Sequence, residues 1–515
     1  MIMIKRILTI CAFALTFQQA TAQRYLTEVF SDADLTITPG VIYANNYQFL
    51  TGAPVATDLK MDVYAPSDAA DFVSERPLII YLHTGSFLPP VINGTPTGSR
   101  TDSTVVEMCK QFARRGYVAM AMSYRVGWNP VATDQDVRTG TLLQAVYRSI
   151  QDAKSCVRYI YKSAASGNTF GVDTNKIILA GQGSGGYVAL AYSTLDKTSE
   201  LNLPKFLANT TNATYGFVQG QSFVNPAILG DFEGNNGVPG INNGNNSNGY
   251  SSNVQFAFNM GGALGDSSWL EPGDIPMVAF HVVGDPFAPY GNGPVIVPTT
   301  GQFVVNVSGS QYVVSRANAY GNNNCFINAG FTDPYTVQAN LTNNGEDGLY
   351  PLVTSPSLQA GPWEWFDLPS LQTYATLLGY PASQGDTVYN NALITNPNMS
   401  KAKALAYIDT IQNYVNPRIV YCLNLATGIS ENKAVAASLQ AYPNPSNDLI
   451  TLDLKMDQNS ITMVELYDVT GRLNYSARGN GSTRIIIDGK DLEPGIYFAT
   501  VKTEHGTASL KLIFN

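Results

Sequence analysis

The chain has 515 residues, of which 44% are hydrophobic and 13% are charged, and its formal net charge is −9. This composition supplies a core for more than one domain and excludes intrinsic disorder as the main state. The acidic balance argues against nucleic acid as a partner, because phosphates attract a basic face. Only three histidines occur, which restricts any mechanism that needs an imidazole base.

The N-terminus has the pattern of an export signal. Two basic residues precede a short apolar run, Ile7 to Phe17, and Ala20 to Ala22 is a small-residue cleavage site. We therefore predict a signal peptide over residues 1–22, with a buried first helix as the alternative. No later stretch reaches the ~18 apolar residues that a membrane span needs, so no transmembrane span is expected.

Residues 23–426 alternate between strand-like and helix-like segments. Six strands are predicted, at Leu59 to Tyr64, Leu78 to Leu82, Val118 to Tyr124, Lys176 to Ala180, Val254 to Met260 and Met277 to Val282. Helices are predicted at Val105 to Arg115, at Thr139 to Ser163, from Tyr187 onwards and at Ser400 to Tyr414. This order predicts an α/β domain with a doubly wound, mostly parallel sheet.

A second, smaller domain is predicted at the C-terminus. A polar linker, residues 427–437, leads into residues 438–515, where short alternating runs are separated by turn signals. The predicted strands are Leu449 to Leu454, Thr462 to Tyr467, Arg484 to Ile487, Tyr497 to Val501 and Ser509 to Phe514. Short strands at this spacing indicate a small all-β sandwich.

Four motifs of this C-terminal segment occur together and in order. They are Tyr442-Pro443-Asn444-Pro445, Tyr467 to Arg472, Leu492 to Tyr497 and Lys511-Leu512-Ile513. The segment resembles the C-terminal sorting domain of type IX secretion cargo. The resemblance implies export across the outer membrane of a Bacteroidetes-type cell, with residues 438–515 engaging the type IX translocon. The alternative is an ordinary β-sandwich that binds carbohydrate or protein.

Three stretches of the α/β domain follow predicted strands and carry chemistry. They are His83-Thr84-Gly85-Ser86-Phe87, Gly181-Gln182-Gly183-Ser184-Gly185-Gly186 and the segment around Asp285. Their order resembles an α/β-hydrolase of the esterase and lipase type. The resemblance implies an oxyanion loop at His83, Thr84, Gly85 and Ser86, a nucleophile elbow at the glycine-rich turn, and the catalytic acid on Asp285.

The elbow does not carry the expected nucleophile. The family pattern is G-x-S-x-G, and aligning its outer glycines with Gly181 and Gly185 puts Gly183 at the nucleophile position. Shifting the register by one residue makes Ser184 the nucleophile, but the leading glycine is then lost. We favour the register in which Gly183 occupies the position.

The base is the second departure from the family pattern. The catalytic histidine of this family follows the acid, yet the only histidine after Asp285 is His505, in the C-terminal domain. His83 and His281 precede the acid, and we interpret both as structural. A serine without an adjacent base is a poor nucleophile, so two of the three triad positions look empty.

Three functions remain open. The first is a degenerate hydrolase that binds a small molecule, peptide or glycan in its cleft, with no cofactor and no metal. The second is an active carboxylic-ester hydrolase that uses Ser184 and Asp285 with His281, or His83, as an atypical base. The third is a surface structural or adhesion protein. We favour the first, because function is decided by the site rather than by the fold.

Cysteines and loops add weaker expectations. Four cysteines remain after signal removal: Cys109, Cys156, Cys325 and Cys422. They lack the spacing of a zinc site, and they allow three full disulfide pairings. The alternative is that Cys109 and Cys156 are buried free thiols. Asn235 to Gly249 is predicted to be a flexible surface insertion near the cleft, with calcium a weak possibility. The aromatic cluster Gly361 to Asp367 is expected to pack in the core or to stack on sugars.

Overall fold

The computed structural model describes residues 24–50, 53–71, 73–297, 300–425, 435, 438–456, 459–468, 472–503 and 506–515. The predicted signal peptide, most of the predicted linker and His505 lie outside the described residues. The chain forms two compact units, one of Tyr25–Leu425 and one that contains Ala426–Asn515. Within the described ranges, no helix has both the length and the apolar character of a membrane span.

The first unit is built on one large mixed sheet. In the described chain its eight strands are β1 (Leu35–Gln48), β2 (Val55–Pro66), β3 (Arg76–Leu82), β4 (Val118–Met122), β5 (Val172–Gln182), β6 (Phe256–Met260), β8 (Met277–Val282) and β11 (Leu349–Leu352). Their order across the sheet is β1-β2-β4-β3-β5-β6-β8-β11. The β1–β2 and β2–β4 pairs are antiparallel, and the remaining neighbours are parallel.

Helices cover the sheet, and three short strands form a separate small sheet. The helices are α1 (Ser103–Arg114), α2 (Gln135–Ala165), α3 (Ser184–Thr194), α4 (Pro226–Leu229), α5 (Ser310–Ala319), α6 (Asn324–Ile327), α7 (Pro334–Asn340), α8 (Leu368–Leu377), α9 (Ala382–Thr395) and α10 (Lys401–Cys422). The small sheet has the order β7 (Ala263–Leu264), β10 (Phe303–Gly309), β9 (Asn292–Ile296). The predicted α/β fold class is confirmed.

The sequence explains the layered core. Every residue of β3 and of β8 is buried, as expected for parallel strands that are covered on both faces. One face packs under α2, with Ile150, Val157 and Ile160 at most 1% exposed, and the other packs under α1 and α10. These two apolar layers fix the positions of the strand ends, and the site is built from those strand ends.

Side-chain capping and a disulfide fix the last helices. The Ser400 side chain accepts a hydrogen bond from Lys403 N and caps α10. Cys325 and Cys422 form a disulfide that ties α6 to α10, whereas Cys109 and Cys156 are buried free thiols. Burial raises the pKa of both free thiols, which keeps them protonated and unreactive.

The Asn/Gly-rich segment 235–249 is hydrogen-bonded to the rest of the domain. Asn242 is 4% exposed and accepts a hydrogen bond from Asn46 on β1, and Asn246 O accepts one from Arg158 on α2. Asparagine side chains both donate and accept, and this segment forms hydrogen bonds internally and with the rest of the domain, although Asn235 Oδ1 is buried without a partner among the described residues. Most residues of the segment are partly or fully exposed, as predicted for a surface insertion, and its flexibility stays a prediction.

The second unit consists of two antiparallel sheets in its described part. Its strands are β12 (Leu439–Tyr442), β13 (Leu449–Leu454), β14 (Ile461–Asp468), β15 (Leu473–Arg478), β16 (Arg484–Asp488), β17 (Gly495–Thr503) and β18 (Gly506–Phe514). The sheet orders are β12-β13-β16 and β15-β14-β17-β18. Both sheets contribute to one core, in which Leu452, Val464, Ile487 and Leu512 are fully buried, so this unit is a small all-β domain.

Candidate functional site

The glycine-rich turn joins β5 directly to α3. Gly183 is the residue before the helix, with φ +51° and ψ −120°, a region that L side chains adopt only under strain. A Cβ on Gly181 would lie 2.2 Å from Gly185 O, and a Cβ on Gly185 would lie 2.4 Å from Leu82 O. Strand and helix therefore cross so closely that the two flanking positions admit only glycine, with Gly183 midway between them.

The side chain of Thr84 fills the space beside Gly183. A Cβ at position 183 would lie 2.0 Å from Thr84 Oγ1 and 2.9 Å from Thr84 Cβ. Both distances are shorter than a nonbonded contact between carbon and these atoms. A hydroxyl-bearing side chain at the turn would have to displace Thr84, which belongs to the predicted oxyanion loop.

The hydroxyl of Ser184 is engaged with Tyr124. Ser184 is 5% exposed, and its Oγ lies 2.9 Å from the Tyr124 hydroxyl. The Tyr124 hydroxyl donates its one proton to His83 O at 2.7 Å, so it accepts from Ser184. Burial raises the pKa of Tyr124, and a neutral phenol cannot act as the base for this serine.

The two histidines of the domain do not complete a triad with Ser184. His281 is fully buried, with Nδ1 2.7 Å from Ser310 Oγ and Nε2 3.0 Å from Ala288 O. Both ring nitrogens of His281 are therefore engaged by other groups, and among the described residues the Ser184 hydroxyl faces Tyr124 instead. His83 Nδ1 faces Thr84 O at 2.5 Å, and burial lowers the pKa of each imidazole to about 4.

A cavity of about 500 Å³ opens beside the turn. Thr84, Gly183, Ser184 and Asp285 line it, whereas His83 and His281 are not among its lining residues. Its walls are mainly apolar, with contributions from Trp128, Leu142, Leu143, Val146, Phe206, Trp269, Phe287, Val305 and Val307. The structure thus brings together the predicted loop, turn and acid around a ligand-sized space.

Two carboxyl groups line this cavity. Asp285 Oδ1 accepts from Phe287 N at 2.8 Å and from Ala288 N at 3.1 Å, and burial raises the pKa of Asp285 to about 7. Glu364 accepts from Gln182 Nε2 at 3.1 Å. Burial, with the nearby Asp102 carboxyl adding to it, raises the pKa of Glu364 to about 8.

Sequence reasoning had missed Glu364, the Thr84 side chain and the Tyr124 hydroxyl. Glu364 belongs to the aromatic cluster Gly361 to Asp367, which follows β11. It comes after Asp285 in the chain, as the catalytic histidine of the family would, and this position could have indicated Glu364 as a site residue. Trp363 is 2% exposed and packs in the core, as expected, but it also lines the cavity. The roles of the Thr84 side chain and the Tyr124 hydroxyl depend on contacts between segments that are distant in sequence.

No metal centre is visible in the described part of the chain, where no three His, Cys, Asp or Glu side chains are grouped to hold an ion. Just before the segment considered for calcium, Glu233 forms ion pairs with Lys154 and Arg158. Asp231 accepts from the backbone of Glu233 and Asn235. These carboxylates are already committed to protein partners.

Comparisons with known proteins bear on both units. Residues 61–232 match the BD-FAE family, and residues 440–515 match the secretion system C-terminal sorting domain. Among solved structures, esterase 2 of Thermogutta terrifontis phosphorylated by paraoxon is 20% identical, with a TM-score of 0.30, covering 50% of this chain and 75% of that chain. The propionate-bound form is 19% identical, with a TM-score of 0.29 and the same coverage. A comparison with curated proteins finds no match.

The family matches agree with the architecture of the two units. The BD-FAE match spans β3, β4, β5 and the turn at Gly183, which are the elements that build the site. The sorting-domain match spans β13 to β18 and most of β12. The chain therefore carries an α/β-hydrolase domain of the esterase type joined to a type IX sorting domain, which directs it to the cell surface or exterior.

Proposed function

We propose that the α/β-hydrolase domain binds a small molecule in its cavity and does not hydrolyse esters by a serine mechanism. The observation that carries this proposal is the position of the Thr84 side chain, whose Oγ1 would lie 2.0 Å from a Cβ at position 183. A serine hydrolase needs a hydroxyl on the elbow and a base within hydrogen-bond reach. Here the turn residue has no side chain, and the space that a nucleophile would need is occupied.

The cavity supports binding independently of any reaction. Its volume of about 500 Å³ lies within the ~300–1,000 Å³ of small-molecule sites, which are mostly apolar with a few convergent polar groups. The walls formed by Trp128, Phe206 and Trp269 provide the apolar surface, and Asp285 and Glu364 provide the polar groups. A ligand can therefore be held without being cleaved.

Ester hydrolysis by Ser184 is the second candidate, because this hydroxyl lines the cavity. It is the weaker candidate, since Ser184 donates to Tyr124 and each histidine ring of the domain has its own partner. A base would have to reach Ser184 by breaking a buried hydrogen bond, which costs about 1–3 kcal/mol for each group left unpaired.

Active-site labelling separates the two candidates. We expect a fluorophosphonate probe to leave the secreted protein unlabelled, and p-nitrophenyl acetate to be hydrolysed no faster than in buffer. An active serine esterase is the positive control, and Ser184→Ala is the matched variant. Labelling and turnover that disappear in Ser184→Ala would overturn the binding proposal in favour of the hydrolase.

Export is assigned to the two ends of the chain. We propose residues 1–22 as the signal peptide, residues 23–426 as the hydrolase-like domain and residues 427–437 as the linker. Residues 438–515 would then be the part that contacts the type IX translocon. The family match over residues 440–515 supports the last of these assignments.

A further inference from the structure

The cavity beside Gly183 has an unusual charge balance. Of the described residues that line it, none is Lys, Arg or His, whereas two, Asp285 and Glu364, are acidic. In the described ranges, neither acid forms an ion pair with a basic side chain of the protein. Buried carboxylates are ordinarily paired, so the protein itself supplies no positive partner for either carboxyl, in accord with their raised pKa values.

The acceptor capacity of the two carboxyls is only partly used. The hydrogen bonds of Asp285 fall on Oδ1, from two backbone N–H groups, and in the described chain Oδ2 has none. Glu364 Oε1 accepts from Gln182, and Oε2 receives only the Thr97 hydroxyl at 3.4 Å. A carboxylate accepts up to about four hydrogen bonds, so each retains free positions for a ligand donor.

Two further polar groups at the cavity lack partners. The Trp363 side chain is 2% exposed, and neither its indole Nε1 nor the buried Tyr187 hydroxyl has a hydrogen-bond partner among the described residues. A Cβ at Gly261 would lie 3.5 Å from Asp285 Oδ2 and 3.6 Å from the Trp363 ring, so carboxylate and indole flank the same point. Buried polar groups without partners are rare, and these belong to the same lining as the two acids.

Aromatic rings make up much of the remaining wall. Eight aromatic residues line the cavity: Phe87, Trp128, Tyr187, Phe206, Trp269, Phe287, Trp363 and Phe366. Aromatic faces attract cations, most strongly when the site is desolvated. The same rings also accept an apolar body through ordinary burial.

We infer that the cavity takes an organic cation, namely an ammonium group on an apolar or aromatic body, whose charge is held by Asp285 and Glu364. This inference rests on the proposed ligand-binding function and names its ligand class. The ammonium donates to Asp285 Oδ2, to the carboxyl of Glu364 and to the Tyr187 hydroxyl. An oxygen atom next to the ammonium would accept from Trp363 Nε1.

Three matched probes test the charge requirement by calorimetry on the secreted protein. Phenethylamine is cationic, phenethyl alcohol has nearly the same shape without the charge, and phenylpropanoate is anionic. Charge-assisted hydrogen bonds add about 1.4 kcal/mol or more, so we expect the amine to bind at least about tenfold more tightly than the alcohol. The anion should bind most weakly.

Two variants locate the charge that is responsible. Asp285→Asn and Glu364→Gln keep the shape of each side chain, and each should weaken the amine about tenfold while changing alcohol binding less than about twofold. Asp409→Asn, on the exposed face of α10, is the control and should change neither. Circular dichroism melts verify that each variant is folded.

The outcomes distinguish the inference from the proposed function. Equal affinity for amine and alcohol, full amine affinity in both variants, or no binding of any probe would overturn the inference of a cationic ligand. Serine-dependent ester turnover would overturn the proposed function instead, and the comparison of amine with alcohol would still report on the charge. Tighter amine binding that is lost in both variants supports the inference.

Discussion

Substituting Gly183 by serine is expected to destabilise the domain rather than to restore an esterase. Two costs add at this position. A residue with a side chain at φ +51° carries about 1–2 kcal/mol of backbone strain. Its Cβ would also meet Thr84 Oγ1 at 2.0 Å, and relieving such overpacking costs about 1–3 kcal/mol. Gly183→Ser should therefore lower the free energy of unfolding by roughly 2–5 kcal/mol.

A matched control isolates the contact with Thr84. Gly330 has φ +59°, and a Cβ there would meet nothing within 4 Å, so Gly330→Ser bears only the backbone cost. Thr84→Gly should return about 1–2 kcal/mol in the Gly183→Ser background, measured as a double-mutant cycle. The assay is denaturant unfolding followed by tryptophan fluorescence and circular dichroism.

The reasoning is refuted if Gly183→Ser costs no more than Gly330→Ser and Thr84→Gly gives no recovery. Gly183→Ser, alone or combined with Thr84→Gly, should also leave p-nitrophenyl acetate hydrolysis without a base-assisted rate. Turnover by Gly183→Ser that disappears when His281→Ala is added would show that His281 leaves Ser310 and Ala288 to act as a base.

Three other changes have defined outcomes. Because burial raises the pKa of Asp285 to about 7 and of Glu364 to about 8, the fold binds their protons more tightly than the unfolded chain does. The free energy of unfolding should therefore fall as pH rises from about 4.5 to about 8. Glu364→Gln should flatten this pH dependence in thermal melts at constant ionic strength. An unchanged pH profile would contradict the burial of the Glu364 carboxyl. Cys325→Ser breaks the Cys325–Cys422 bond, which joins residues 97 positions apart. This change should lower the free energy of unfolding by about 3–5 kcal/mol, measured by denaturant unfolding. A decrease below about 1 kcal/mol would contradict the stabilising role of the disulfide. Deleting residues 438–515 should keep the protein out of the culture medium while the hydrolase unit still melts cooperatively; normal levels of truncated protein in the medium would refute the sorting role.

The fold was predictable because its central strands have simple patterns. The runs at Leu78 to Leu82 and Met277 to Val282 are almost entirely apolar, with His281 as the exception, which is typical of parallel strands covered on both faces. β1 (Leu35–Gln48) was missed because an antiparallel edge strand alternates with polar residues and contains Pro39 and Gly40. β11 was missed because it has only four residues.

The site was predictable only where it is local in sequence. The spacing of Gly181, Gly183 and Gly185 indicates the turn directly. The filling of its space by Thr84 does not follow from spacing, because that residue comes from a different strand end. Glu364 meets Gln182 across 182 residues of chain, and its raised pKa depends on burial that only the folded structure defines.

The survival of the glycine-rich turn is explained by packing and does not require catalysis. Glycine is needed at position 181 because a Cβ there would meet Gly185 O, and at position 185 because a Cβ there would meet Leu82 O, whatever the middle residue does. A glycine at position 183 removes the strain that a serine would have to bear there. The crossing builds part of the cavity wall whether or not the turn carries a nucleophile. Under the proposed function, the chemistry of that cavity is decided by Asp285 and Glu364, and not by the turn that first suggested an esterase.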